Sequence, residues 1–185
     1  YAIDLDRDGD MDILSTSTCD DKIIWYQNDG SQSFTSRTIT TSADFANSVY
    51  AIDMDNDGDV DVLSSSEEDN KIVWYENNGS QSFTAQTITS NYVQPKSVFA
   101  IDIDSDGDMD VLSNSYSDNQ ILWHENDGSE NFSTQIVSSN SENPLSVYGI
   151  DIDKDGDIDI VSGSDNYIYL YNNDGSANPW AVLSM

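Results

Sequence analysis

Hydrophobic and polar residues alternate along most of the chain. In the stretch SVYAIDMD, Val49, Ala51 and Asp53 fall on one side of an extended backbone and Tyr50, Ile52 and Met54 on the other, the period of two that marks a strand. A tight acidic segment follows, and then an apolar run through Val60, Val62 and Leu63 that predicts a second strand. KIVWYEN, from Lys71 to Asn77, is β-branched and aromatic and predicts a third. Asn78-Gly79 signals a turn, and FTAQTITS from Phe83 predicts a fourth. No segment carries a convincing helical period.

The same pattern recurs at a fixed interval. DLDRDGDMD, DMDNDGDVD, DIDSDGDMD and DIDKDGDID begin at Asp4, Asp53, Asp102 and Asp151, each 49 residues after the last. Tyr1, Tyr50, Phe99 and Tyr148 precede the acidic segments. Trp25, Trp74 and Trp123 follow them, with Leu170 in that place after a two-residue deletion. Gly30, Gly79, Gly128 and Gly175 mark the turn, and Phe34, Phe83 and Phe132 come next, with Trp180 near the equivalent position. Four short strands in a unit of this size make a propeller blade. The fold expected is therefore all-β: a β-propeller-like array of four four-stranded blades, approximately 1–47, 48–96, 97–145 and 146–185, within one repeat domain spanning 1–185. The aromatic columns are expected to pack blade on blade.

Charge changes the picture. The formal net charge is -29, from 35 acidic and 6 basic residues. Such a polyanion repels nucleic-acid phosphate and anionic membrane surfaces, so neither is expected as a partner. A strongly acidic chain can be disordered, but 37% hydrophobic and 10% aromatic residues in regular alternation oppose that here and point to bound cations. Cys19, the one cysteine, excludes an intrachain disulfide and is expected to be a small buried residue. No apolar run approaches the roughly 20 residues needed to span a bilayer, so membrane insertion is not expected. The chain has no signal peptide and no initiator Met, and Tyr1 falls within a repeat, which reads as a mature product or an excerpt of a longer protein.

The acidity is concentrated in the loops. In the second copy Asp53, Asp55 and Asp57 occupy positions 1, 3 and 5, with Gly58 at 6, Asp59 at 7 and Asp61 at 9. Carboxylates this close repel one another unless a cation lies among them, and calcium favours several oxygens in a tight loop. The glycine permits the bend that turns the later groups inward. Position 7 is expected to offer its backbone carbonyl, leaving the Asp59 side chain to face water. An EF-hand needs a bidentate Glu at position 12 between helices. Here position 12 is Ser15, Ser64, Ser113 or Ser162 between strands, and Asp12, Asp61, Asp110 and Asp159 at position 9 would supply the missing ligand. A solvated acidic turn and a magnesium site are the weaker alternatives.

The D-x-D-x-D-G-x-x-D loop between strands resembles the calcium loop of FG-GAP/VCBS repeats, found in integrin α-subunit propellers and many secreted bacterial proteins. The resemblance covers nearly the whole chain. It implies about four Ca2+ ions, one per repeat, held by Asp4, Asp6, Asp8, Asp10 and Asp12; by Asp53, Asp55, Asp57, Asp59 and Asp61; by Asp102, Asp104, Asp106, Asp108 and Asp110; and by Asp151, Asp153, Asp155, Asp157 and Asp159. The position-7 member of each set acts through its backbone. Family propellers commonly have more blades than four, so a closed four-bladed ring, part of a larger ring and an open assembly all remain compatible with the sequence.

Catalysis finds no support in the sequence. His124, the one histidine, stands in the column of Tyr26, Tyr75 and Tyr171 and reads as an aromatic replacement. No nucleophile-elbow or phosphate-loop motif appears. Glu67, Glu68, Glu76, Glu125, Glu130 and Glu142 lie outside the loops and do not recur as a catalytic pair. The function expected is an extracellular, calcium-stabilised structural or adhesion module, secreted or on the cell surface, a building block of a surface protein or filament. Its partner would be a protein or glycan surface, or a further copy of itself. The alternative is a carbohydrate-binding module or the non-catalytic appendage of a secreted polysaccharide-active enzyme.

Overall fold

A computed structural model describes residues 1–176 and 180–184; the expected end of the fourth blade at 185 lies outside the described residues. The chain falls into two compact units, Tyr1–Asn91 and Tyr92–Met185, each holding two four-stranded antiparallel sheets. In the first unit one sheet runs β1 (Ala2–Ile3), β2 (Asp12–Ser17), β3 (Lys22–Asn28) and β4 (Phe34–Thr40), and the other β5 (Ala46–Ile52), β6 (Asp61–Ser66), β7 (Lys71–Asn77) and β8 (Phe83–Thr89). In the second unit they run β9 (Val98–Ile101), β10 (Asp110–Ser115), β11 (Gln120–Asn126) and β12 (Phe132–Ser138), then β13 (Pro144–Ile150), β14 (Asp159–Ser164), β15 (Ile168–Asn172) and β16 (Ala181–Ser184). Within every sheet the strands pair in chain order. Among the described residues no helix is long and apolar enough to cross a membrane.

The pairing repeats from sheet to sheet. Leu14 faces Trp25, Leu63 faces Trp74, Leu112 faces Trp123 and Val161 faces Leu170, and such cross-strand apolar pairs hold a sheet's register. A bulge lies at the same point of the third-to-fourth strand ladder in three sheets, at Ile23/Ile24, Ile72/Val73 and Ile121/Leu122. Bulges bend a strand and increase its twist.

Each sheet has two apolar faces. The tryptophan face of the first carries Leu5, Leu14, Ile23 and Trp25; the tyrosine face of the second carries Ala51, Val60, Val62, Val73 and Tyr75. These residues form one buried cluster, against which Ile3 and Val49 pack. The second unit repeats the arrangement. A Cβ added at Gly149 would meet Ile101 Cγ2 at 2.8 Å and Leu112 Cδ1 at 3.3 Å, so the tryptophan face of the third sheet lies against the tyrosine face of the fourth. The same column holds Ala51 and Ala100, because a small residue is what this close approach accommodates.

Trp25, Trp74 and Trp123 are buried, as a core role requires. The ring pairs Tyr1–Tyr50 at 5.1 Å and Phe99–Tyr148 at 4.4 Å place that column sheet on sheet as well. The phenylalanine column departs from the expectation: Phe34 is exposed, and Phe83 packs only on the margin of the core. Its strand is the outermost of the sheet and has one neighbour. Cys19 also corrects the sequence reading. It is exposed, because it falls in the turn between β2 and β3 rather than on a strand face.

Candidate metal centre

Each acidic loop joins the first two strands of its sheet and is shaped by its own backbone. Position 4, held by Arg7, Asn56, Ser105 or Lys154, takes φ of 58°, 60°, 62° or 67°, and the glycine at position 6 takes 99° to 103°. The position-1 carboxylate accepts from that glycine's N–H: Gly9 to Asp4 at 3.0 Å, Gly58 to Asp53 at 3.1 Å, Gly107 to Asp102 at 3.1 Å and Gly156 to Asp151 at 3.2 Å. The position-5 carboxylate accepts from the position-7 N–H, at 2.7 Å for Asp57 and Asp59 and 2.9 Å for Asp8 and Asp10.

These turns bring carboxylates together. One oxygen each of Asp4, Asp6 and Asp8 lie within 4.8 Å of one another, and so do those of Asp53, Asp55 and Asp57. In the second unit the convergent sets are Asp102, Asp104 and Asp110, and Asp151, Asp153 and Asp159. Positions 1 and 3 therefore converge in all four loops, with position 5 completing the set in the first unit and position 9 in the second. Oδ1 of Asp4, Asp6 and Asp53 is buried without a hydrogen-bond donor. A buried carboxylate oxygen without a donor is costly unless a cation meets it, so these residues fit a hard divalent ion.

Electrostatics agree. Burial raises the carboxyl of Asp55 above its ordinary value, and the neighbouring Asp57 and Asp53 add to the rise. Asp104 behaves likewise with Asp106 and Asp102 beside it. Asp6 is raised by burial and by Asp12 and Asp8, although Gln27 Nε2 donates to it.

The position-9 aspartates are the most enclosed. Asp61 Oδ1 accepts from Asn77 N–H at 2.7 Å and its Oδ2 from Met54 N–H at 3.0 Å. Asp12, Asp110 and Asp159 accept from Asn28 and Leu5, Asn126 and Ile103, and Asn173 and Ile152 in the same way. Burial pushes Asp61 up to about 6 and Asp110 up to about 7, while these amide donors oppose the shift. The indoles of Trp74 and Trp123 stand beside these carboxylates and also oppose it, although their buried Nε1 atoms fall short of hydrogen-bond geometry. Position 9 thus ties the loop to the end of the third strand.

Position 7 departs from the expectation of a water-facing side chain. The carboxylates of Asp10, Asp59, Asp108 and Asp157 lie against the turn glycines: a Cβ added to Gly30, Gly79, Gly128 or Gly175 would stand 2.3 to 2.7 Å from their Oδ2 atoms. The turn glycine therefore serves both its φ of 66° to 75° and the approach of the loop.

Sequence reasoning overlooked the column Asn28, Asn77, Asn126 and Asn173. Beyond its backbone bond to position 9, Asn77 donates through Nδ2 to Val60 O at 3.0 Å and accepts from Gly79 N–H at 3.2 Å. Its fixed place two residues before the turn glycine was the available signal. Glu76 and Glu125, weighed in the sequence only as a catalytic pair, instead stand near the loops; each raises the carboxyl of a position-3 aspartate through charge, Asp55 and Asp104 respectively. His124 is a core group. Its Nε2 meets Ser113 Oγ and its Nδ1 meets Thr134 Oγ1, both at 2.8 Å, and burial pushes it down to about 3.

Among solved structures, the chain is similar to a lectin from Agrocybe aegerita described in terms of specific recognition of non-reducing terminal N-acetylglucosamine. The TM-score is 0.67 at 17% identity, covering 99% of this chain and 51% of that one. It is also similar to BBS1N, solved in complex with ARL6DN, with a TM-score of 0.61 at 12% identity over 92% of this chain and 51% of that one. The chain thus spans about half the length of either, and these likenesses concern the fold. No curated protein matches the sequence. The FG-GAP-like repeat profile matches residues 4–64, 53–113 and 102–162, each match running from one acidic loop to beyond the next, and with that coverage the chain belongs to the FG-GAP-like repeat family.

Proposed function

We propose that the protein is a calcium-stabilised structural or adhesion module that works outside the cell and carries no catalytic role. The observation that supports this most is the convergence of position-1 and position-3 carboxylates in all four loops, with buried oxygens of Asp4, Asp6 and Asp53 lacking donors. Calcium would be held by the loop carboxylates at positions 1, 3, 5 and 9 and by the position-7 carbonyl, and when bound it supplies positive charge that lets these groups lie together. Sites of this kind fill at extracellular calcium and stand empty at resting cytosolic levels, which favours a secreted or surface location. Calorimetric titration of the metal-free protein tests the reading: uptake of about four ions supports it, and no heat of binding at millimolar calcium contradicts it.

A second reading is glycan binding. A cleft of about 330 Å³ in the second unit is lined by Asp104, Trp123, Gln135, Asp157 and Asn173, a mixture of carboxylate, amide and indole groups suited to hydroxyl-rich ligands. The fold likeness to a glycan-recognising lectin favours this reading too. Binding on a glycan array that is lost in Gln135→Ala would support it, and an array without signal would remove it.

A further inference from the structure

The two acidic loops of the first unit touch, and a residue of the first lies against the second. Arg7 occupies position 4 of the first loop. Its Nη2 stands 3.8 Å from Oδ2 of Asp53, the position-1 carboxylate of the second loop. A Cβ added at Gly58, position 6 of that loop, would stand 3.5 Å from Arg7 Nη1. The contact also runs the other way. Gln81, in the turn between β7 and β8, donates through Nε2 to Asp6 Oδ2 of the first loop at 3.4 Å.

Asp53 divides its two oxygens. Oδ2 accepts from Gly58 N–H and faces Arg7, whereas Oδ1 is buried without a donor. The guanidinium thus approaches the oxygen the backbone already uses and leaves Oδ1 open to an ion. Position 4 differs in every loop, being Asn56, Ser105 and Lys154 in the others. In the second unit the counterpart of Arg7 is therefore Ser105, a neutral residue.

We propose that Arg7 sets the affinity of the second loop, acting as a tethered cation that raises the calcium concentration needed to fill it. The inference rests on the calcium reading above and adds which loop is held back, and by what. A guanidinium keeps its charge at any ordinary pH. Its pairing with Asp53 stabilises the empty loop only slightly, because the Arg7 side chain is 51% exposed. Against a divalent ion the same charge counts double, since repulsion scales with the product of the charges. At physiological salt this should weaken binding about three- to tenfold.

Calcium titration of the isotope-labelled, metal-free protein, followed by NMR at the amides of Gly9, Gly58, Gly107 and Gly156, tests the proposal. These N–H groups donate to the position-1 carboxylates, so each reports its own loop. Arg7→Gln removes the charge at a half-exposed position and should keep the fold, which circular dichroism checks. It is expected to lower the Gly58 midpoint about three- to tenfold, with the Gly107 and Gly156 midpoints moving less than about twofold. Arg7→Glu should lower the Gly58 midpoint further, and the gain in both variants should shrink in about 1 M salt. A Gly58 midpoint that stays or rises in either variant, or midpoints that fall equally at all four loops, would overturn the inference and leave the calcium reading intact. Four glycines that ignore millimolar calcium in the wild type would instead contradict the calcium reading itself, and this inference with it.

Discussion

Asp61 and Asp59 are two residues apart in one loop and answer to different physics. Asp61 is buried and accepts amide N–H bonds on both oxygens. Asp61→Asn keeps the shape but turns an amide NH2 toward one of those donors, which should cost about 1–3 kcal/mol in urea unfolding. Gly79→Ala imposes a strained φ of +71° and drives a Cβ to 2.3 Å from Asp59 Oδ2, and a loss of about 1–3 kcal/mol is expected. His124→Tyr restores the residue type found at Tyr75 and Tyr171 and should change stability by less than about 1 kcal/mol, whereas His124→Ala leaves a cavity and costs about 2–4 kcal/mol. The raised carboxyls of Asp61 and Asp110 give a pH signature. A group whose folded pKa stands at about 6 or 7 against 3.8 unfolded holds its proton more tightly in the folded state. Its contribution is full below about pH 4 and is lost as pH rises through 6 to 7. Metal-free protein should therefore unfold at lower urea at pH 7.5 than at pH 5, and calcium, which favours the carboxylate form, should narrow or invert that difference.

The strands were largely legible because their cues are local. Lys71–Asn77 and the start at Phe83 follow directly from β-branched runs and an Asn-Gly turn. The acidic loops were legible from spacing, and the structure converges positions 1 and 3 as that spacing implies. What escaped depends on contacts distant in sequence. The asparagine clamp at Asn77 is defined by what lies across the hairpin at Val60. The place of Asp59 is set by the Gly79 turn twenty residues away. The left-handed φ at Arg7 and Lys154 has no cue at all, since neither residue favours it. Cys19 was misplaced because burial statistics for cysteine ignore that this one sits in a turn. At this scale Trp25→Ala, which empties the centre of the first unit's buried cluster, should cost about 3–5 kcal/mol in chemical denaturation.

For the whole molecule the governing fact is charge. A chain with 35 acidic and 6 basic residues gathers its carboxylates into four loops, each at the same place in a four-stranded sheet. Hydrophobic packing between the two sheets of each unit favours the compact state, and clustered like charges oppose it. On the proposed reading, a cation held in each loop would resolve the conflict where it is most acute. Thermal unfolding followed by circular dichroism, in millimolar calcium and in excess chelator, tests this most directly. A cooperative melt that falls by roughly 10 °C or more on chelation, and recovers when calcium is restored, is the predicted result. Superimposable melts in the two conditions would contradict the account.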